Sequence, residues 1–127
     1  MKAILLDTHV WAWTLAGDER LSEAALAALG RAESVLVSPI SFFEISRKVK
    51  LGQWPEMEPY VHQLGPLLTE QGGAVAPLEP QICVAAAMLD WDHLDPYDRM
   101  LAATATYYGL PLVSADPIFD GRVPRLW

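Results

Sequence analysis

The sequence predicts an α/β fold with a central, mostly parallel sheet of four to five short strands flanked by helices in three layers. Short apolar segments alternate along the chain with segments of helical pattern, which is typical of a parallel sheet. The first of them, residues 2–6, is almost continuously apolar, as expected for a strand covered on both faces. The chain has 127 residues and no internal repeat or linker. We therefore expect one domain spanning residues 1–127.

The first half of the chain begins with a strand that ends at a carboxylate, Asp7. Thr8 and Ser22 precede apolar helical patterns and are expected to cap them. Gly17 and Gly52 follow such patterns and are expected to end helices. The predicted elements are strand 2–6, helix 9–16, helix 22–32, strand 34–38 and helix 39–51.

The second half contains two proline residues at expected helix starts, Pro80 and Pro96, where a missing N–H has no cost. Gly109 is expected to end the last helix. The amphipathic stretch 58–71 is interrupted by Gly65 and Pro66. The predicted elements are helix 58–71, turn 72–73, strand 74–78, helix 79–89, loop 90–95, helix 96–108, strand 111–114 and an edge strand within 123–127.

Composition excludes several classes of protein. No apolar run is long enough to span a bilayer, because charge, proline or glycine interrupts each one. We expect no signal peptide, because Asp7 interrupts the first apolar run too early. Cys83 is the single cysteine, so no intramolecular disulfide forms, and we expect a reducing cytoplasm. The net charge of −7 is unlike the basic balance of most nucleic-acid proteins and needs an explanation.

Four carboxylates follow strands of the predicted sheet, and this explains part of that charge. Asp7 follows the first strand and Asp116 follows the strand ending at residue 114. Glu44 lies about one turn into the helix after the second strand, and Asp98 lies in the first turn of the helix from residue 96. Because sites in such sheets form beyond the carboxyl ends of the strands, we expect these acids to converge.

Carboxylates that converge without histidine or cysteine make a hard, oxygen-rich site that suits Mg²⁺ or Mn²⁺. Two such ions activate water and stabilise the leaving oxygen in phosphodiester cleavage. The residues thus predict one or two ions and hydrolysis of a phosphodiester. A metal-binding interaction module without catalysis is the competing interpretation.

Four segments of the chain resemble, in order and spacing, the motifs of PIN-domain toxins of the VapC type. Together they cover nearly the whole chain. They are residues 5–13 (LLDTHVWAW), residues 38–48 (SPISFFEISRK) followed by Leu51 and Gly52, residues 93–102 (HLDPYDRMLA) and residues 112–116 (LVSAD).

That resemblance implies a function and a set of site residues. Asp7, Glu44, Asp98 and Asp116 would be the catalytic and metal-binding acids, and Ser114 would support the metal site. The activity implied is that of an endoribonuclease that leaves a 5′-phosphate and a 3′-hydroxyl. The implied partners are the RNA substrate, an antitoxin protein lying along an apolar groove, and a second copy in a homodimer.

Other polar residues receive weaker assignments. Thr8 and Asp95 are placed in a supporting role, with Asp95 also interpreted as the N-cap before Pro96. Lys48 lies one turn after Glu44, so it either grips substrate phosphate or forms a surface ion pair. Arg47 in the same basic run is a further candidate for substrate binding. Arg99 is expected to contact phosphate or to form a structural ion pair.

Two histidines and two tryptophans complete the candidates. His9 is expected at the mouth of the site and His93 is expected to order its loop, since neither has the spacing of a zinc set. Trp11 and Trp13 point to different sides of their helix, so at least one is expected to be exposed.

Two other functions compete with that of a toxin. A PIN nuclease for RNA processing would share every site residue, and gene context separates the two. A phosphoryl-transfer enzyme with Asp7 as nucleophile would resemble haloacid-dehalogenase-like phosphatases. These carry a second aspartate two residues later, where this chain has His9, and we discount that interpretation.

Overall fold

The computed structural model describes residues 2–127. Its strands are short and all neighbouring pairs are parallel, in the order β3-β2-β1-β4-β5. The strands are β1 Ala3–Leu6, β2 Ser34–Val37, β3 Ala74–Val75, β4 Leu112–Val113 and β5 Arg125–Leu126. The α-helices are α1 Thr8–Ala16, α2 Glu23–Arg31, α3 Pro39–Lys50, α4 Leu64–Glu70, α5 Pro80–Met88 and α6 Pro96–Tyr108.

The central strand, β1, lies where the order of strands reverses. On one side Leu5 is in register with Leu36 of β2, and on the other Leu6 is in register with Val113 of β4. After β1 the chain forms β2 and β3 on one side of it, and it then crosses to the other side to form β4 and β5. A crevice forms at the carboxyl ends of the strands at such a point.

The two faces of β1 contribute to different hydrophobic clusters, as its period of two requires. Ile4 and Leu6 pack in a cluster with Trp11, together with residues of α2 and α4. Leu5 packs on the opposite face with Leu101 of α6. Helix α5 covers α6 through a third cluster. The predicted three-layer α/β architecture is confirmed, with five strands.

Most predicted elements are present with boundaries shifted by one to three residues, and two predictions need correction. Thr8 does not cap α1, because α1 begins at Thr8 itself and the N-cap is Asp7. The stretch predicted as helix 58–71 is a 3₁₀ helix, Pro55–Gln63, followed by α4. Pro59 lies inside the 3₁₀ segment, whereas Pro66 falls in the first turn of α4, where a missing N–H is tolerated. Within residues 2–127, no helix is both long enough and apolar enough to cross a membrane.

Candidate active site

An open cavity of about 500 Å³ lies beyond the carboxyl ends of β1 and β4. All four acids that the sequence placed there line it. The full lining is Asp7, His9, Trp13, Glu44, Lys48, Asp95, Asp98, Ala115, Asp116 and Pro117.

Asp7 lies at the floor of this cavity, between the end of β1 and the start of α1. Its side chain is buried, and Oδ2 accepts a hydrogen bond of 2.6 Å from the hydroxyl of Ser114. Burial raises the pKa of Asp7, and the bond from Ser114 and the charge of His9 oppose that rise only in part. The carboxylate therefore lacks a full positive counterpart.

Asp116 follows β4 and is linked to Asp7 through the same serine. Its backbone N–H donates to Ser114 Oγ at 3.1 Å, so Ser114 donates to one acid and accepts from the other. Asp116 Oδ1 also accepts from the N–H of Ile118 at 3.0 Å at the start of the 3₁₀ helix Pro117–Phe119. The predicted supporting position of Ser114 is consistent with this geometry.

Glu44 projects into the cavity from α3, which Ser38 caps by accepting from the N–H of Ile40. The glutamate side chain is buried, and its Oε2 lies 2.6 Å from Lys48 Nζ, one turn later. Lys48 Nζ in turn lies 5.7 Å from the ring centre of Trp54 and 5.6 Å from that of Tyr97. These rings and Glu44 hold the ammonium at the cavity wall.

Asp98 enters the cavity from the first turn of α6. Asp95 caps this helix as predicted, because its Oδ1 accepts from the N–H groups of Tyr97 and Asp98 at 2.8 and 3.1 Å. Burial raises the pKa of Asp98 to about 6, and the charges of Asp95 and Asp7 add to the rise. His93 Nε2, 2.6 Å from Asp98 Oδ2, opposes it.

This set of side chains fits a divalent cation. Carboxylate oxygens from several separate elements surround one cavity, and burial raises the pKa of Asp7 and of Asp98. A bound cation would supply the missing positive charge. Within residues 2–127, one group of acids and histidines has ligand atoms that all lie within 4.8 Å of one another, namely His93, Asp95 and Asp98. No other group of three or more in that range meets this limit, although Asp7, Glu44 and Asp116 line the same cavity.

The remaining predicted residues divide between the site and its surroundings. Thr8 is buried and does not line the cavity, and its hydroxyl is 2.7 Å from that of buried Ser41. Arg47 is exposed and does not line the cavity. Trp11 is fully buried, whereas Trp13 is partly exposed and lines the cavity, as their opposite directions on α1 predicted.

Arg99 has a different role from either one expected of it. All five of its N–H donors bind backbone carbonyl oxygens, at distances of 2.8 to 3.2 Å. The expected ion pair is therefore wrong, and no donor is left for substrate phosphate. The carbonyls belong to Ala86, Ala87, Leu89, Trp91 and His93. Arg99 thus fixes the loop that presents His93.

Sequence reasoning missed the aromatic side of the site. Trp54 contacts both His9 and Lys48, with a ring separation of 4.7 Å to His9. His9 and Trp13 are four residues apart on α1 and therefore share one helix face, which is a signal that the sequence did contain. Trp54 lies in an irregular segment between two helices, and no periodicity would have placed it.

Comparisons with known proteins agree on one family. The model of the PIN domain matches residues 4–122. The chain is 33% identical over 117 residues to "Ribonuclease VapC22" of Mycobacterium tuberculosis, covering 91% of this chain and 88% of that protein.

Solved structures are similar over nearly the full length. The VapBC2 structure of Rickettsia felis, bound to a DNA fragment from the promoter, gives a TM-score of 0.65 at 11% identity, covering 97% of this chain and 96% of that one. The toxin-antitoxin system VapBC-5 of Mycobacterium tuberculosis gives 0.63 at 16% identity, covering 98% and 96%. At these identities the structural likeness concerns the fold.

Proposed function

The chain belongs to the PIN-domain family, and from that premise we propose that it is a metal-dependent endoribonuclease acting as the toxin of a toxin-antitoxin pair. One observation supports the chemistry above all others. Asp7, Glu44, Asp98 and Asp116 come from four separate segments and line a single open cavity. The similarity to a protein named as a ribonuclease supports RNA as the substrate.

The proposed division of labour gives the four acids the task of holding Mg²⁺ or Mn²⁺. When bound, one or two such ions supply the positive charge that activates water and stabilises the leaving oxygen of a phosphodiester. Ser114 fixes the direction of the Asp7 carboxylate, and His93 fixes that of Asp98. Such partners of ligating side chains set both geometry and affinity.

Lys48 is the proposed contact for the substrate phosphate. It lines the cavity beside Glu44 and keeps part of its side chain exposed. With RNA and metal present, Glu44 would turn from an ion-pair partner into a metal ligand, and the ammonium would be free to bind a phosphate oxygen. Arg47 stays a secondary candidate, because it is exposed on the same helix.

The experiment is cleavage of end-labelled single-stranded RNA by the purified protein. We expect cutting with Mg²⁺ or Mn²⁺, a 5′-phosphate and a 3′-hydroxyl at the cut, and no cutting in EDTA. Asp116→Asn is expected to be inactive. Products carrying a 2′,3′-cyclic phosphate would contradict the proposal, since that end indicates attack by the ribose hydroxyl instead of water.

We propose the toxin role from the solved structures that share this fold. The solved neighbours named above are VapBC toxin-antitoxin systems, which supports a protein antitoxin as partner. A homodimer is proposed from the resemblance of the sequence motifs alone. Expression of the chain alone and together with the adjacent small reading frame tests this. Growth arrest that the neighbour relieves would support the toxin, and harmless expression of active nuclease would favour a role in RNA processing.

A further inference from the structure

We call the cavity lined by Asp7, Glu44, Asp98 and Asp116 the acidic cavity. A second cavity, of about 290 Å³, adjoins it and differs from it in chemistry. Its lining residues are His9, Trp13, Arg20, Lys48, Gln53, Trp54 and Glu56. His9, Trp13 and Lys48 line both cavities, so the two are contiguous. We call this second cavity the aromatic pocket.

The aromatic pocket is walled by flat groups. The ring centre of His9 lies 4.7 Å from that of Trp54 and 6.1 Å from that of Trp13. The guanidinium of Arg20 lies over Trp13, 5.0 Å from its ring centre. Asp18 binds that guanidinium through two bonds of 3.0 and 2.7 Å, so its charge is already matched and it presents a planar face.

Resting on the proposed function, we propose that the aromatic pocket receives an unstacked base of single-stranded RNA, from a nucleotide next to the one whose phosphate enters the acidic cavity. Aromatic side chains and arginine planes bind splayed bases by stacking, and this is how proteins most often recognise single-stranded RNA. The rim also carries the exposed amide of Gln53, which offers both a donor and an acceptor to a base edge.

The charge of the chain favours a base over a phosphate at this place. With a net charge of −7 the protein has little electrostatic attraction for RNA, so contacts that do not depend on charge must contribute more. The aromatic pocket can supply such contacts, because its rings lie outside the cluster of carboxylates and stack on a base without an opposite charge. A segment of a protein partner is the other class of occupant, and the test below separates the two.

The test measures cleavage of a short single-stranded RNA by wild type, Trp54→Ala, Trp54→Phe and Tyr107→Ala. Trp54 is chosen because it lines the aromatic pocket and not the acidic cavity. Its ring also lies 5.7 Å from Lys48 Nζ, so abasic substrates are needed to separate lost stacking from a displaced Lys48. We expect Trp54→Ala to raise KM by about tenfold, as the loss of one stacked base would, with kcat changed little. Trp54→Phe should restore most of the loss, and Tyr107→Ala, an exposed aromatic on α6, should have no effect.

Abasic nucleotides placed in turn around the cut identify the base. At one position the abasic RNA should raise the KM of the wild type by as much as Trp54→Ala raises it with intact RNA. The same abasic RNA should not raise the KM of Trp54→Ala any further. Independent, additive losses at every position would overturn the proposal. So would a Trp54→Ala variant that keeps its KM and loses only binding to the antitoxin.

Tryptophan fluorescence separates this inference from the proposed reaction. Stacking of a base should quench wild-type emission when the RNA is added, and Trp54→Phe should lose that part of the quenching while still binding. Quenching by RNA without any cleavage would support base binding in the aromatic pocket and refute the nuclease activity. Cleavage with quenching identical in wild type and Trp54→Phe would refute the pocket and leave the nuclease.

Discussion

The hydroxyl of Ser114 donates a hydrogen bond of 2.6 Å to Oδ2 of Asp7, across 107 residues of sequence. It joins the ends of β1 and β4 at the floor of the acidic cavity. The hydroxyl oxygen of Ser114 also accepts from the N–H of Asp116, so one side chain sets the position of two acids.

Ser114→Ala is predicted to weaken both binding of Mn²⁺ and RNA cleavage. Asp7 would lose the bond that favours its charged form, and its pKa would rise further. Loss of such a supporting partner typically costs about 10- to 100-fold in metal affinity or activity. Calorimetric titration with Mn²⁺ measures it, with Ser114→Thr as the matched control that keeps the hydroxyl. Equal Mn²⁺ affinity in wild type and Ser114→Ala would show that the bond is unimportant.

Lys48→Met is predicted to change metal binding and RNA binding in opposite directions. Without the ammonium, Glu44 has no competing partner, so Mg²⁺ should bind more tightly. RNA binding should weaken, and the slope of log Kd against log salt should shrink by about 0.7 for the lost phosphate contact. Lys50→Met, an exposed lysine of the same helix, is the control. A salt slope unchanged from that control would make Lys48 only the ion-pair partner of Glu44.

The pKa of Asp98, raised from 3.8 to about 6, predicts a pH dependence of stability without metal. The folded state holds this proton more tightly than the unfolded chain, so its contribution is fully present below about pH 4 and is lost as pH rises through about 6. Urea unfolding in EDTA at several pH values measures it. Asp98→Asn should remove this loss of stability with rising pH. If the whole loss persisted in that variant, Asp98 would not be its source.

Metal binding is predicted to have the opposite dependence on pH. A divalent ion needs the deprotonated carboxylates, so affinity for Mg²⁺ should rise with pH through about 6, where Asp98 loses its proton. Titration at constant ionic strength between pH 5 and 8 measures this. Affinity that stays constant over that range would mean that Asp98 is no ligand.

Arg99→Ala is predicted to destabilise the fold by about 2–3 kcal/mol, since it leaves several loop carbonyl oxygens without their charged donor. Arg99→Lys should recover little, because an ammonium cannot reproduce the planar fork of five donors. Urea unfolding gives the free energies. A variant of full stability whose KM for RNA is raised would instead return Arg99 to substrate binding.

The sequence predicted those parts of the site that depend on topology. Asp7 and Asp116 follow parallel strands, and the carboxyl ends of such strands share an edge whatever the exact boundaries are. Glu44 and Asp98 needed helix phase as well, which their proline-marked helix starts supplied.

Contacts that depend on side-chain direction across the fold were not predictable in this way. The five bonds of Arg99 require a loop whose path has no periodic signal. Trp54 approaches His9 only because the chain turns between α3 and the 3₁₀ helix. Thr8 was misplaced as a cap because the strand ends directly in the helix, so Asp7 occupies that position.

Replacing Asp7 with asparagine shows whether the acidic cavity binds a divalent ion and cuts RNA with it. The measurement is RNA cleavage in Mn²⁺ by wild type, by Asp7→Asn, and by Glu33→Gln, an exposed acid just before β2 at the opposite edge of the sheet. We predict cleavage by wild type and Glu33→Gln that EDTA abolishes, and none above background by Asp7→Asn. Cleavage by Asp7→Asn at the wild-type rate, or cleavage that persists in EDTA, would show that RNA is not cut by an ion bound in this cavity.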